Sequence, residues 1–122
     1  MMTIDEMQDI LDDLADELPD SMYEQLNGGV LLLPEAKRSP HARADDLYIL
    51  GEYRIDHMMG RYIVIFYGSF MKLFGHLDAA RMKDQLRHTL RHEFRHHFER
   101  LGGTDELGKE DKDFLKKYLA ET

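Results

Sequence analysis

DAARMKDQLRHTLRHEFRHHFERL, residues 78–101, is the longest helical pattern in this chain and carries most of its candidate functional residues. Asp78 can cap a helix, and apolar residues then recur at the three- and four-residue intervals of one helical face. This apolar stripe consists of Met82, Leu86, Leu90, Phe94, Phe98 and Leu101. The spacing therefore predicts an amphipathic helix whose stripe packs on a core, and Gly102-Gly103 ends it.

The same helix contains the motif H-E-x-x-H at residues 92–96. Residues four apart on a helix lie one above the other, so His92 and His96 are predicted to direct two imidazoles at one Zn²⁺. Glu93 lies about 100° further round the helix, where its carboxylate can take a proton from a water that the metal activates. Both histidines flank the apolar stripe, which places them beside a cleft. The alternative interpretation is a histidine-rich surface helix.

A hydrolytic zinc ion usually has three protein ligands, so two histidines do not complete such a site. The chain has no cysteine, which leaves histidine and carboxylate as ligands. A turn at Gly102-Gly103 can bring the following acids back toward the metal. These candidate third ligands are Asp105, Glu106, Glu110 and Asp111. The alternative for each acid is that it stabilises the N-terminus of a last helix, predicted over residues 109–120.

Other polar residues of the long helix are predicted to have structural roles. His97 falls within the apolar stripe and is predicted to be a hydrogen-bonded core histidine, whereas His88 turns toward solvent. Arg87, Arg91 and Arg95 lie in a row along the helix. A phosphate-binding ridge is one interpretation of this row, and ion pairing with an acidic first helix is the favoured one.

The charge of the chain is unevenly distributed. Residues 1–20 hold eight acids and no Lys or Arg, while residues 21–122 hold 16 acids and 16 bases, so the net charge of −8 lies in the first segment. The chain has no broad basic face, and nucleic-acid binding is therefore not expected. A length of 122 residues predicts one domain, 1–122. No apolar run reaches membrane-spanning length and no signal-peptide pattern is seen, so we expect a cytoplasmic protein without membrane contact.

The rest of the chain alternates between helical and extended segments. A capping box at residues 3–6 starts a first amphipathic helix, which Pro19 ends. The predicted elements that follow are a short helix at 21–26, a strand at 30–33, a surface loop at 35–46, strands at 47–54 and 61–67 joined by a hairpin at 56–60, and a helical turn at 70–74. Tyr62 and Tyr67 could supply an oxyanion donor, although strand packing explains them equally well.

The block HTLRHEFRHHFERLGG, residues 88–103, resembles the small bacterial zincin-like metallopeptidase family, sometimes called minizincins. The segments LNGGVLLLP (26–34), LYILGEY (47–53) and GRYIVIFYGSF (60–70) are also similar to that family, so the resemblance spans roughly residues 3–120. It implies an α+β, minimal zincin-like fold: a small three-stranded or larger mixed sheet packed on an active-site helix, with N- and C-terminal helices. Substrates of zincins pair with an edge strand beside that helix, and residues 61–67 are the candidate for it.

The resemblance also implies a function, namely a zinc-dependent peptidase acting on a peptide or protein. Glu93 would be the general base, His92 and His96 two ligands of Zn²⁺, and Glu106 the third, with Asp105 as the alternative. Glu106 takes this role when Gly103 is matched to the family's glycine, although four additional helical residues precede the turn here. The alternatives from other classes are a non-catalytic zinc-binding or regulatory interaction module and a metal-dependent nuclease.

Overall fold

The computed structural model describes residues 1–40, 47–101 and 117. The fold is α+β, and its elements in chain order are α1 (Ile4–Ala15), a 3₁₀ helix (Asp20–Tyr23), β1 (Gly29–Leu33), β2 (Lys37–Arg38), β3 (Tyr48–Ile49), β4 (Gly51–Asp56), β5 (Gly60–Phe66), α2 (Tyr67–Phe74) and α3 (Ala79–Arg100). The last helix predicted at 109–120 lies outside the described residues except for Lys117, which is helical. Within the described part, no helix combines the length and apolar content that a membrane crossing requires.

Three strands form a mixed sheet in the order β1-β5-β4. β5 pairs with β1 in parallel and with β4 antiparallel. The predicted hairpin joins β4 to β5: the Asp56 carboxylate accepts hydrogen bonds from the backbone N–H groups of Met58 and Met59. Gly60 closes the hairpin with a φ of 74°, which glycine adopts without a Cβ penalty. β2 and β3 form a separate two-stranded antiparallel ribbon.

Three of the predictions for extended segments are wrong. The strand at 61–67, expected at the sheet edge, is the central strand β5, and the edge beside α3 is β4. The strand predicted at 47–54 is divided into β3 and β4 at Leu50, and part of the predicted loop at 35–46 pairs as β2. Four consecutive residues of β5, Ile63 to Phe66, are fully buried. Such a continuous apolar run is typical of a strand covered on both faces.

The main core lies between α1, α3 and one face of the sheet. Its buried residues include Met7, Leu11, Leu14, Ile63, Ile65, Phe70, Met82, Leu86, Leu90, Phe94 and Phe98. The predicted stripe of α3 is therefore confirmed, with Leu101 at its end only half-buried. A second cluster, formed by Tyr62, Val64 and Phe66 with Leu31, Leu33 and Ile49, covers the opposite face of β5.

Local capping signals in the sequence correspond to observed helix starts. The Thr3 hydroxyl accepts from the Glu6 N–H, and the Glu6 carboxylate accepts from the Thr3 N–H, both at 3.1 Å. Asp78 caps α3 by accepting from the Arg81 N–H at 2.8 Å. The two short helical segments differ from expectation: the one predicted at 21–26 is the 3₁₀ helix, and the turn predicted at 70–74 is the two-turn helix α2.

Acids of the first segment pair with bases of α3. The Glu17 carboxylate, just beyond α1, accepts hydrogen bonds from Arg87 at 3.1 and 3.0 Å, and Asp13 lies 3.9 Å from Lys83. The hydrogen bonds from Arg87 hold the pKa of Glu17 below its usual range. The pairing expected between the acidic segment and the arginine row is therefore confirmed at Arg87.

We expect the Glu17–Arg87 pair to contribute less than about 1 kcal/mol, because both side chains are partly exposed to solvent. The folded-state pKa of Glu17 is lowered, so this contribution is present above the unfolded-state pKa of the carboxyl and is lost as the pH falls through the folded-state value. A double-mutant cycle with Arg87→Ala and Glu17→Gln, read by urea denaturation at low and high salt, measures it. A coupling of several kcal/mol that salt does not reduce would contradict this expectation.

Candidate functional site

His92 and His96 lie on the exposed flank of α3, one turn apart. Their Nε2 atoms are 3.1 Å from each other, and their ring planes are nearly perpendicular, at 88°. Two nitrogen ligands of a tetrahedral zinc ion lie about 3.3 Å apart when each bond is about 2.0–2.1 Å. The two imidazoles therefore fit adjacent positions around such an ion with little movement.

The electrostatic surroundings of His92 favour its neutral form. Partial burial lowers the pKa of His92, and the nearby His96 and Arg95 act in the same direction. A neutral imidazole has a free ring-nitrogen lone pair, which is the form that binds a metal ion.

Glu93 is buried, with 6% of its surface exposed, although its neighbour His92 is exposed. Burial raises the pKa of the Glu93 carboxyl, while the charge of His96 lowers it and that of Glu52 adds to the increase. A carboxyl with a raised pKa is suited to taking up a proton and returning it. The motif therefore combines two solvent-facing imidazoles with a buried carboxyl of increased proton affinity.

Two adjoining cavities lie along the line where β4 passes α3. Gly51, His92 and Glu93 line both of them. The larger cavity, about 610 Å³, is further lined by Glu52, Tyr53, Ile55, His96 and Arg100. The smaller cavity, about 370 Å³, is further lined by Tyr48, Ile49, Leu50, His88 and Thr89. The predicted catalytic residues therefore lie where the two cavities meet.

Gly51 is the point of close approach between β4 and α3. A Cβ atom at this position would lie 3.1 Å from the Thr89 side chain and 3.1 Å from the carbonyl oxygen of Val64. Both distances are shorter than an ordinary van der Waals contact, so a larger residue would require a shift of a few tenths of an ångström in α3 or β5. The absence of a side chain at Gly51 thus permits the close approach of β4 to α3 beside His92 and Glu93.

His97 is fully buried, as predicted from its place in the apolar stripe. Its Nε2 lies 3.0 Å from the carbonyl oxygen of Glu24, and its Nδ1 lies 2.8 Å from the Tyr53 hydroxyl. Because a carbonyl only accepts, Nε2 carries the ring proton. Neither partner is negatively charged and burial lowers the pKa of His97, so the ring is neutral and Nδ1 accepts from Tyr53. This hydrogen bond holds edge strand β4 to α3 one residue from His96.

Tyr62 and Tyr67 line neither cavity, so neither is placed to donate to an oxyanion in this cleft. The Tyr67 hydroxyl donates to the Met2 carbonyl at 2.6 Å, and Tyr62 is buried in the cluster on the opposite face of β5. The tyrosine that lines the larger cavity is Tyr53. Tyr53 was not predicted as a site residue, because the sequence did not show that β4 lies beside α3.

Arg100 is a second cavity residue that sequence reasoning missed. It lies four residues after His96, which itself follows His92 and His88 at four-residue intervals. Residues at this spacing share one face of a helix, so the signal was present in the sequence.

The predicted third ligands Glu106 and Asp105, together with Glu110 and Asp111, lie outside the described residues. Among residues 1–40, 47–101 and 117, no three or more His, Cys, Asp or Glu side chains form a group that could hold a metal ion.

Comparison with known proteins finds similarity to a solved structure. No protein-family model and no curated protein matches it. It is similar to a conserved hypothetical protein from Thermo thermophilus, with 31% sequence identity and a TM-score of 0.68. The match covers 84% of this chain and 100% of that chain. On this identity and coverage, the chain belongs to the same family as the conserved hypothetical protein from Thermo thermophilus.

Proposed function

We propose that this chain is a zinc-dependent peptidase of the zincin type. The observation that carries the proposal is the 3.1 Å separation of the His92 and His96 Nε2 atoms, with the buried Glu93 facing the same cavity. The two imidazoles fit a tetrahedral zinc ion, and the motif holds the carboxylate beside the ion as a base. A surface helix that is merely rich in histidine gives no reason to bury Glu93, because burying a carboxyl costs free energy.

In the proposed reaction, the zinc ion and the residues around it would have different roles. His92 and His96 would hold the ion together with a third ligand from the segment after Gly103, with Glu106 as first choice and Asp105 as second. When bound, zinc lowers the pKa of water to about 7 and polarises the scissile carbonyl. Glu93 takes a proton from the attacking water and returns it to the leaving amine. The raised pKa of Glu93 makes its protonated form easier to reach during this transfer.

β4 is the strand that we expect a substrate to pair with. It lies beside α3 and, among the described strands, pairs only with β5. One row of its backbone N–H and C=O groups is therefore available to an extended peptide. Pairing of this kind gives affinity through main-chain hydrogen bonds and makes little demand on sequence. The proposed substrates are accordingly peptides or unfolded segments of proteins.

The alternative of a metal-dependent nuclease has less support. The nuclease interpretation was based on the row of Arg87, Arg91 and Arg95, which would bind the phosphates of a nucleic acid. Arg87 is engaged by Glu17 and by Asp84 at 3.0 Å, and neither Arg91 nor Arg95 is free of partners. The alternative of a non-catalytic zinc-binding or regulatory module shares the metal site with the leading proposal, and only an activity measurement separates the two.

The metal site is tested by elemental analysis of protein purified without added metal. We expect about one zinc ion per chain, and loss of zinc in both His92→Ala and His96→Ala, since each change removes one imidazole. His88→Ala is the matched control, because His88 is exposed on the same helix one turn earlier and should not be needed for zinc. Circular dichroism establishes that each variant is folded. If His88→Ala lost as much zinc as His92→Ala, the proposed ligand pair would be wrong.

The same measurement identifies the third ligand. Glu106→Gln is expected to weaken zinc binding more than Asp105→Asn. If neither weakens it, the ligand comes from the last helix or from another chain, and the assignment of the third ligand to Glu106 or Asp105 is wrong.

Peptide cleavage that a chelator stops and zinc restores supports the peptidase. Zinc binding without cleavage of a diverse peptide mixture favours the non-catalytic module, and salt-sensitive RNA cleavage favours the nuclease.

A further inference from the structure

Space for a ligand extends to both sides of the predicted catalytic residues. The larger and the smaller cavity meet at Gly51, His92 and Glu93, and each continues along β4 in a different direction. The smaller follows residues 48–50, and the larger follows Glu52, Tyr53 and Ile55. A bond that reacts beside Glu93 therefore has room for substrate residues on both of its sides. Removal of a terminal residue needs such room on one side only.

The two cavities differ in the chemistry of their walls. Beyond the shared residues, the smaller cavity is lined by His88 and Thr89 on α3 and by Tyr48, Ile49 and Leu50, which suit an apolar side chain. The larger cavity contains Arg100 at one end, an exposed side chain that makes no ion pair among the described residues. Glu52, in the same cavity, is already paired with Lys37 and Arg54. Apart from the proposed site residues His92, Glu93 and His96, the charge that the described residues of this cavity offer to a ligand is therefore the guanidinium of Arg100, a group that binds carboxylates.

We propose that the chain is an endopeptidase that cleaves an internal peptide bond between two unlike subsites. The smaller cavity holds an apolar side chain on one side of the bond, and Arg100 in the larger cavity pairs with an acidic side chain on the other. The proposal rests on the peptidase function proposed above and adds to it the class of substrate.

The position of cleavage is the first test. Zinc-containing protein is incubated with a mixture of peptides of about ten residues, acetylated at the N-terminus and amidated at the C-terminus, and the products are identified by mass spectrometry. Internal cleavage of these blocked peptides is expected, with apolar and acidic residues enriched on opposite sides of the bond. Cleavage restricted to peptides with a free end, releasing one or two terminal residues, would overturn the proposal.

The two subsites are tested with one variant each. Arg100→Gln is expected to reduce the ratio of kcat/KM for an acidic peptide to that for its matched amide (Asp replaced by Asn) by about tenfold. Arg81→Gln is the matched control, because Arg81 is exposed on the same helix and lines neither cavity. Tyr48→Ala is expected to weaken the preference for apolar residues on the opposite side of the bond.

The outcomes separate the two proposals. If Arg100→Gln leaves the ratio unchanged, or if both variants alter the same side of the bond, the two-subsite proposal fails while the peptidase proposal stands. If the protein binds zinc but cleaves neither blocked nor free peptides, the peptidase proposal fails and this one with it.

Discussion

Replacement of Glu93 by glutamine is expected to reduce peptide cleavage by at least about 100-fold while the zinc content stays at the wild-type level. Glutamine preserves the size of the side chain and its place beside the two histidines, but its amide does not accept the proton of the attacking water. The effect therefore falls on turnover and not on the metal. The measurement is kcat/KM on a peptide that the wild-type protein cleaves, together with elemental analysis of both proteins.

The stability of Glu93→Gln shows whether a loss of activity comes from unfolding or from loss of the general base. Burial raises the pKa of Glu93, so its surroundings disfavour the charged form of the carboxyl. Glutamine removes that charge, and the variant should be as stable as the wild type or more so. Asp84→Asn, which neutralises an exposed acid on the same helix, serves as the control and should keep its activity. If Glu93→Gln retained a tenth of the activity or more, Glu93 would not be the general base.

Phe94→Ala is expected to lower the free energy of unfolding by about 3–5 kcal/mol. The Phe94 side chain is 1% exposed and lies in the core between α1, α3 and the sheet. Its ring makes an edge-to-face contact with Tyr23, with centroids 5.3 Å apart, and a tilted contact with Phe98 at 6.4 Å. A domain of this size has a stability of about 5–15 kcal/mol, so one truncation removes a large share of it.

Urea denaturation followed by circular dichroism measures this loss. Phe94→Leu is the graded control, because it keeps much of the buried volume and should cost less than the alanine change. His88→Ala, at an exposed position of the same helix, should change the stability by less than about 0.5 kcal/mol. A loss below about 1 kcal/mol for Phe94→Ala would show that this face of α3 is not packed on the core.

Features that depend on local spacing could be predicted from the sequence. The four-residue interval predicted that His92 and His96 lie side by side, and the apolar stripe predicted that His97 is buried. The capping residues Thr3 and Asp78 marked the starts of two helices. For the two histidines and the two caps, the groups involved lie within about one helical turn of each other, so the geometry of a single helix was sufficient. For His97, the helical period showed which face it occupies but not its partners, which are distant in sequence.

Features that depend on the order of strands could not be predicted in this way. The substrate-facing edge was expected at β5, yet β5 is central and β4 lies beside α3. Tyr53 and Gly51 enter the cleft only because β4 is placed there, and Tyr62 and Tyr67 leave it for the same reason. The register of a strand indicates which residues share a face, but not which strand lies at an edge. The continuous buried run in β5 was the one local sign of its central position.

His96 is exposed whereas its neighbour His97 is fully buried, and this would link the proposed metal binding to the integrity of the core. The ring of His97 is fixed by two segments distant in sequence, through Tyr53 on β4 and the carbonyl oxygen of Glu24. The backbone that carries His96 is therefore held before any ion arrives, which reduces the ordering that binding requires. An ion that binds only the folded chain also stabilises it, by an amount that increases with the ratio of free ion to Kd. Loosening of either distant segment should consequently weaken the proposed zinc binding, although the hydrogen bonds of both segments are made to His97 and not to the two proposed ligands.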